Sequence, residues 1–254
     1  MKRYKKLWFY ILTVICAIVL GGMGTFLFDV GSQIQYAISI AMVQMSPFCG
    51  LLILCLFTRD VNCFREINLF SHITFKWILV AIGIPAIIVF GSASILSFMD
   101  IPYIQNGYSP FVLIVFIVTS LIGCIGEEIG WRGYLLPEFN KKYSLLLSSL
   151  FTGLLWGAWH FGKISMYGIE GYFLFILMIS EFSVLMSWIY DRTRKNLLLM
   201  IVFHLTINVA SIIMLNNREG LLFYIFGCIL GGILCIAVVI RNETIFLNKM
   251  RNKV

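Results

Sequence analysis

The feature that most restricts how this chain can fold is a succession of apolar runs, each about twenty residues long, separated by short polar stretches. About twenty apolar residues, rising 1.5 Å each, cross a hydrocarbon core ~30 Å thick. The runs have approximate limits 7–28, 34–57, 77–98, 111–137, 144–161, 171–190, 197–214 and 221–240. Backbone polar groups in lipid must find partners inside their own segment, and helices do this. The expectation is therefore all-α: a multi-pass membrane protein of about eight transmembrane helices, with residues 1–254 forming a single transmembrane domain. Composition agrees, since 60% of the 254 residues are apolar and 12% are charged. A soluble domain carries about 25% charged residues.

Charge placement gives the orientation. Lys2, Arg3, Lys5, Lys6, Arg59, Arg65, Lys76, Lys141, Lys142, Arg192, Arg194, Lys195, Arg241, Lys249, Arg251 and Lys253 fall on one side of the eight-span scheme. Lys163 and Arg218 fall on the other, and Arg132 lies within a span. Basic residues collect on the cytoplasmic side, so both termini are expected in the cytoplasm and the protein in the cell membrane. The net charge of +7 is accounted for by topology, and no nucleic-acid partner is expected. The first run is too long for the core of a signal peptide and lacks a small-residue cleavage site, so it reads as a retained helix. Of the seven cysteines, all but Cys63 lie in apolar runs and none forms a CxxC pair. They read as small core residues.

The first three spans hold few ionisable groups and read as scaffold. Polar side chains within spans concentrate between Glu127 and Asn208, with residues 111–214 as the motif region. Charged groups inside a bilayer are costly and persist where they have a partner or a task. Counting from the Lys141–Lys142 turn, Glu127 lies roughly 20 Å back along its helix and His160 roughly 28 Å up the next one. From the turn at Arg192–Lys195, His204 is about 14 Å and Asn208 about 20 Å deep. The four therefore converge on one buried level.

Spacing then assigns faces. Glu128 and Arg132 are i, i+4 and can form an ion pair. Glu127 is rotated by about 100° and points elsewhere. His204 and Asn208, also i, i+4, share a face. Trp156 stands one turn before His160 and is expected to shield the site from lipid. Gly123, Gly126, Gly130 and Gly133 form a small-residue surface that lets neighbouring helices approach. Glu181, midway along the sixth span, is expected either as a partner for Arg132 or for one histidine, or as a lumen-facing residue.

This set suits water activation. A carboxylate in a dry pocket titrates nearer neutrality and becomes a usable general base, and a histidine can hold the same water. Histidine and asparagine can donate to an oxyanion. Glu127 with His160, and His204 with Asn208, would make a peptide-bond hydrolase with no covalent intermediate. GxSxG and HExxH are both absent. One glutamate and two histidines could still hold Zn²⁺, but the expectation is a site without cofactor or metal.

Three motifs in order, Glu127-Glu128-x-x-x-Arg132, Trp156-x-x-x-His160 and His204-x-x-x-Asn208, resemble the signature of the CPBP family. These are the CAAX-protease and bacteriocin-processing intramembrane endopeptidases, including the type II CAAX prenyl endopeptidases and the Abi proteins. The likeness extends over roughly 111–214, including the flanks Arg132-Gly-Tyr-Leu-Leu-Pro137 and Trp188-Ile-Tyr-Asp-Arg192. It implies an eight-helix intramembrane fold, Glu127 as general base beside His160, and His204 with Asn208 as oxyanion stabilisers. It also implies Glu128 and Arg132 as a structural pair. The leading expectation is an intramembrane endopeptidase acting on a peptide or membrane-protein substrate near the bilayer. Two other classes compete with it. One is a non-catalytic membrane immunity or scaffold protein that binds a bacteriocin-like peptide. The other is a small transporter or proton channel, which the lack of internal repeats disfavours.

Overall fold

The structure, a computed structural model, describes residues 4–29, 31–65, 67–101, 108–214 and 220–247. Lys2, Arg3, Arg218, Lys249, Arg251 and Lys253, which enter the charge argument, lie outside the described residues. The protein is an all-α, multi-pass membrane protein, with no strand among the described residues.

The apolar runs become α1 (Lys5–Leu27), α2 (Gln33–Gln44), α3 (Ser46–Thr58), α4 (Phe75–Phe98) and α5 (Pro110–Gly130). A π-helical turn (Trp131–Leu135) joins α5 to the short α6 (Leu136–Asn140). Then follow α7 (Leu145–Trp159), α8 (Ile164–Arg192), α9 (Leu197–Met214), α10 (Gly220–Arg241) and the short α11 (Glu243–Leu247). Taken as eight passes, α2 and α3 make one and α5 with α6 another. Six passes are long enough to cross a membrane, whereas α7 and α9 are shorter.

Burial follows the logic of lipid. On α10, Ile229, Ile233, Ile236 and Ile240 form an exposed apolar stripe, while Gly220, Phe223, Tyr224, Gly227 and Gly231 face inward. On α5, Leu121, Ile122 and Ile125 face outward, and Ser120, Gly123, Cys124, Glu127 and Glu128 are buried. An apolar exterior around a polar-lined interior is the arrangement a bilayer selects.

The basic segments gather at one end of the bundle. Lys5 pairs with Asp60, Lys6 Nζ donates to the Glu138 carbonyl at 3.4 Å, and Arg192 bonds Asn242. Ser71 Oγ donates to the carbonyls of Thr193 and Arg194 at 3.0 and 2.8 Å. This end also sets where α9 begins. Asn196 Oδ1 accepts the Leu199 N–H at 2.9 Å, an N-terminal cap, and Leu197 N–H reaches the Asn68 carbonyl at 2.7 Å.

Two local departures from regular helix shape the interior. The pass through Gln33–Thr58 breaks at Met45, where Pro47 opens the first turn of α3. The α5–α6 pass widens into its π turn, where Leu136 N–H bonds the Trp131 carbonyl. Pro137 follows at once and brings no N–H of its own to the ladder, so the regular i→i−4 pattern cannot run through this stretch. α7 is only 15 residues long, about 22 Å, shorter than a hydrocarbon core of ~30 Å. His160 closes it, its N–H bonding the Gly157 carbonyl at 3.1 Å.

Candidate active site

Glu127, Glu128 and Arg132 are fully buried, and His204 is 3% exposed. Each glutamate has its own set of partners. Glu128 Oε1 accepts from Arg132 Nη1 at 3.0 Å and from His204 Nδ1 at 2.8 Å. The Arg132 guanidinium also lies over the Trp156 ring, 4.1 Å from its centroid. Glu127 accepts from Trp156 Nε1 through Oε2 at 2.6 Å and from Gln44 Nε2 through Oε1 at 2.9 Å. His204 Nε2 stands 4.0 Å from that same Oε1. The 100° rotation between adjacent helical residues thus gives one carboxyl a cation and the other two neutral N–H donors.

Trp156 is the hub. Its indole N–H holds Glu127, its face receives Arg132, and it meets the His204 ring edge-on at 5.0 Å. Its backbone carbonyl accepts from His160 Nδ1 at 2.9 Å. A carbonyl only accepts, so the proton is on Nδ1 and the neutral ring keeps a lone pair on Nε2. The ring of His160 is wedged between Trp159 and Phe175, with centroids 4.7 and 5.0 Å away. His160 is therefore joined to Glu127 through Trp156. Asn208 Nδ2 points at Cys124 Sγ, 3.4 Å away, one helical turn before Glu128.

Glu181 is a correction. Its carboxylate reaches neither Arg132 nor a histidine but lies on the α10 side of α8, against Gly231 and Gly232. There Cys235 Sγ donates to its backbone carbonyl at 3.3 Å. The physical reason is the rotation of α8: the face carrying Glu181 packs on α10, and Arg132 is already engaged by Glu128 and Trp156.

Two contributors were missed. Gln44 belongs to the spans read as scaffold, yet its amide touches Glu127. The available signal was an amide deep in an apolar run directly before Met45-Ser-Pro47. Cys124, read as a small core residue, is buried as expected and also touches Asn208. The glycine stripe explains how Gln44 arrives. A Cβ on Gly123 would lie 2.2 Å from Gln44 Oε1, one on Gly126 2.6 Å from Met45 Sδ, and one on Gly130 2.5 Å from Pro47 Cβ. The broken α2–α3 pass is seated directly on the glycines of α5. Among the described residues, no group of three or more His, Cys, Asp or Glu is arranged to hold a metal ion.

Comparison with known proteins points the same way. Residues 109–210 match the family described as type II CAAX prenyl endopeptidase, Rce1-like. Over this stretch the chain is similar to the CPBP/CAAX-protease family. The matched stretch contains Glu127, Glu128, Arg132, Trp156, His160, His204 and Asn208, and excludes Gln44. A curated relative is CAAX prenyl protease 2 of Methanococcus maripaludis, 26% identical over 156 residues. The match takes in 55% of this chain and 54% of that protein, so the chain spans about half the length of the curated relative it matches.

Proposed function

We propose that this protein is an intramembrane endopeptidase of the cell membrane, hydrolysing a peptide bond near the bilayer with water activated at Glu127. The observation that carries the reading is Glu127 itself. It is a fully buried carboxylate held by two neutral donors, Trp156 and Gln44, while the neighbouring glutamate takes the arginine. A carboxylate whose hydrogen-bond donors are neutral, with His204 Nε2 held off at 4.0 Å, is suited to take a proton.

In this reading Glu127 removes a proton from water, and His160 orients that water through the bare Nε2. The hydroxide attacks the scissile carbonyl carbon. The carbonyl oxygen becomes an oxyanion that accepts from His204 and from the second N–H of the Asn208 amide. Cleavage of the C–N bond returns the proton held on Glu127 to the leaving amine. His204 here carries protons on both nitrogens, Nδ1–H on Glu128 and Nε2–H toward the oxyanion. Glu128 Oε2, Arg132 Nε and Arg132 Nη2 are buried without a protein hydrogen-bond partner. Such a surplus of buried polar atoms suits a site that admits water. No step requires a metal.

The test compares membrane vesicles carrying the protein with vesicles carrying Glu127→Ala. The readout is mass spectrometry of released peptides, with a prenylated peptide ending in a CAAX sequence as the first probe. Loss of a general base costs about 10²–10⁴-fold, so cleavage should vanish in the variant while the protein stays folded. Full activity in Glu127→Ala ends the assignment. Survival of chelation is expected as well, and a loss that added zinc restores would replace this mechanism with a metal-based one.

A further inference from the structure

We infer that Gln44 is a positioning residue for the reaction, and that the Gly123 position exists to admit it. The inference rests on Glu127 being the base, as proposed above, and adds a component from outside the matched domain. Gln44 is the last residue of α2, immediately before the break at Met45. It reaches across to α5 and donates Nε2–H to Glu127 Oε1 at 2.9 Å. Trp156 holds the other oxygen at 2.6 Å, so the carboxylate is gripped at both ends by donors from two separate helices.

Two donors fix the plane of a carboxylate, whereas a single donor leaves it free to rotate about its own C–C bond. Oε1 is also the oxygen nearest His204 Nε2, at 4.0 Å, so the Gln44 contact decides which oxygen faces the reacting centre. Three features of the backbone converge on this one contact. The helix break turns the end of α2 toward α5. Gly126 and Gly130 receive Met45 and Pro47. Gly123 leaves the space the amide occupies, since a methyl group there would sit 2.2 Å from Oε1 and 2.6 Å from Cδ of Gln44. The Cβ of Gln44 would also lie 2.9 Å away, so an alanine at 123 would displace the amide and press on the end of α2 that carries it.

The test uses the full-length protein in vesicles, with the peptide whose cleavage depends on Glu127. Gln44→Met keeps the length and removes the donor. Misplacing a catalytic group by about 1 Å can cost on the order of 10²-fold. A fall in kcat of about 10- to 100-fold is therefore expected, with KM within about two-fold of the parent and an unchanged melting temperature. Gly123→Ala should give the same defect, and the double variant should be no worse than either single one, because both remove one contact. Gln44→Glu keeps the reach and restores a donor when protonated. Its activity should approach the parent's in acid and fall as pH rises, when two carboxylates face each other. Parental kcat in Gln44→Met, or additive losses in the double variant, overturns the positioning role and leaves Glu127 as base untouched. Activity in Glu127→Ala overturns the catalytic reading itself. If Gln44→Met does not fold, Gly123→Ala and the pH profile of Gln44→Glu decide the question.

Discussion

Arg132 offers the sharpest test of how the site is held together. It and Glu128 are both fully buried and lie 3.0 Å apart. Glu128 also takes His204 Nδ1 at 2.8 Å, and the guanidinium stacks on Trp156 at 4.1 Å. Arg132→Met keeps an unbranched side chain of similar length and deletes the charge. Removing one partner of a buried pair costs about 3–5 kcal/mol, because the remaining charge stays buried. Loss of the stack over Trp156 adds up to about 2 kcal/mol. At roughly 2–4 °C per kcal/mol for a chain of this size, the melting temperature should fall on the order of 10 °C. The double variant Arg132→Met/Glu128→Gln removes both charges and should recover part of that loss. The assay is thermal unfolding of the purified protein in detergent, followed by tryptophan fluorescence. Parental melting of Arg132→Met, or a double variant less stable than Arg132→Met alone, would refute the reasoning that the pair acts as one buried unit.

Gly130→Ala should destabilise by about 1–3 kcal/mol: its Cβ would lie 2.5 Å from Pro47 Cβ and 3.0 Å from that residue's backbone carbon. Gly83→Ala, on an open face with nothing within 4 Å, should leave melting unchanged or raise it, and equal effects at the two positions would remove the seating argument. At the basic end, the hydrogen bond from Lys5 holds the Asp60 carboxyl below its ordinary range, aided by the Asn62 backbone N–H. A lowered carboxylate contributes stability that is complete above the unfolded value and lost as pH falls through the folded one. The melting difference between the parent and Asp60→Asn should therefore be present near neutral pH and close as the medium is acidified below the ordinary carboxylate range; a difference independent of pH would contradict the pairing.

Legibility differed between parts of this protein for identifiable reasons. The apolar runs announced their helices because a span must be both long and apolar whatever its neighbours are. The ends followed where caps were local, as at Ser144, whose side chain accepts the Leu147 N–H. The π turn at Trp131–Leu135 was not foreseen, since hydropathy registers how apolar a run is and not how its ladder is wound. The pairing of Glu128 with Arg132 was visible because both lie on one helix at a fixed spacing. The partner of Glu127 was not, because Gln44 is 83 residues away on a helix that looked like scaffold. Glu181 shows the converse: depth along a helix was readable, but the face it presents was set by packing on α10.

Taken alone, the order of residues established eight apolar helical passes, one basic end and two polar pairs on shared faces. Each of these follows from lipid solvation or from the fixed 3.6-residue turn, which act within a single segment. The tertiary structure decided the rest: that Trp156 joins Glu127 and Arg132 to both histidines, that Gln44 grips Glu127, and that Glu181 stands apart. Those outcomes depend on how helices cross and rotate against one another. Here that was set by glycines that let a broken helix sit against α5, a relation between distant segments that no local spacing expresses.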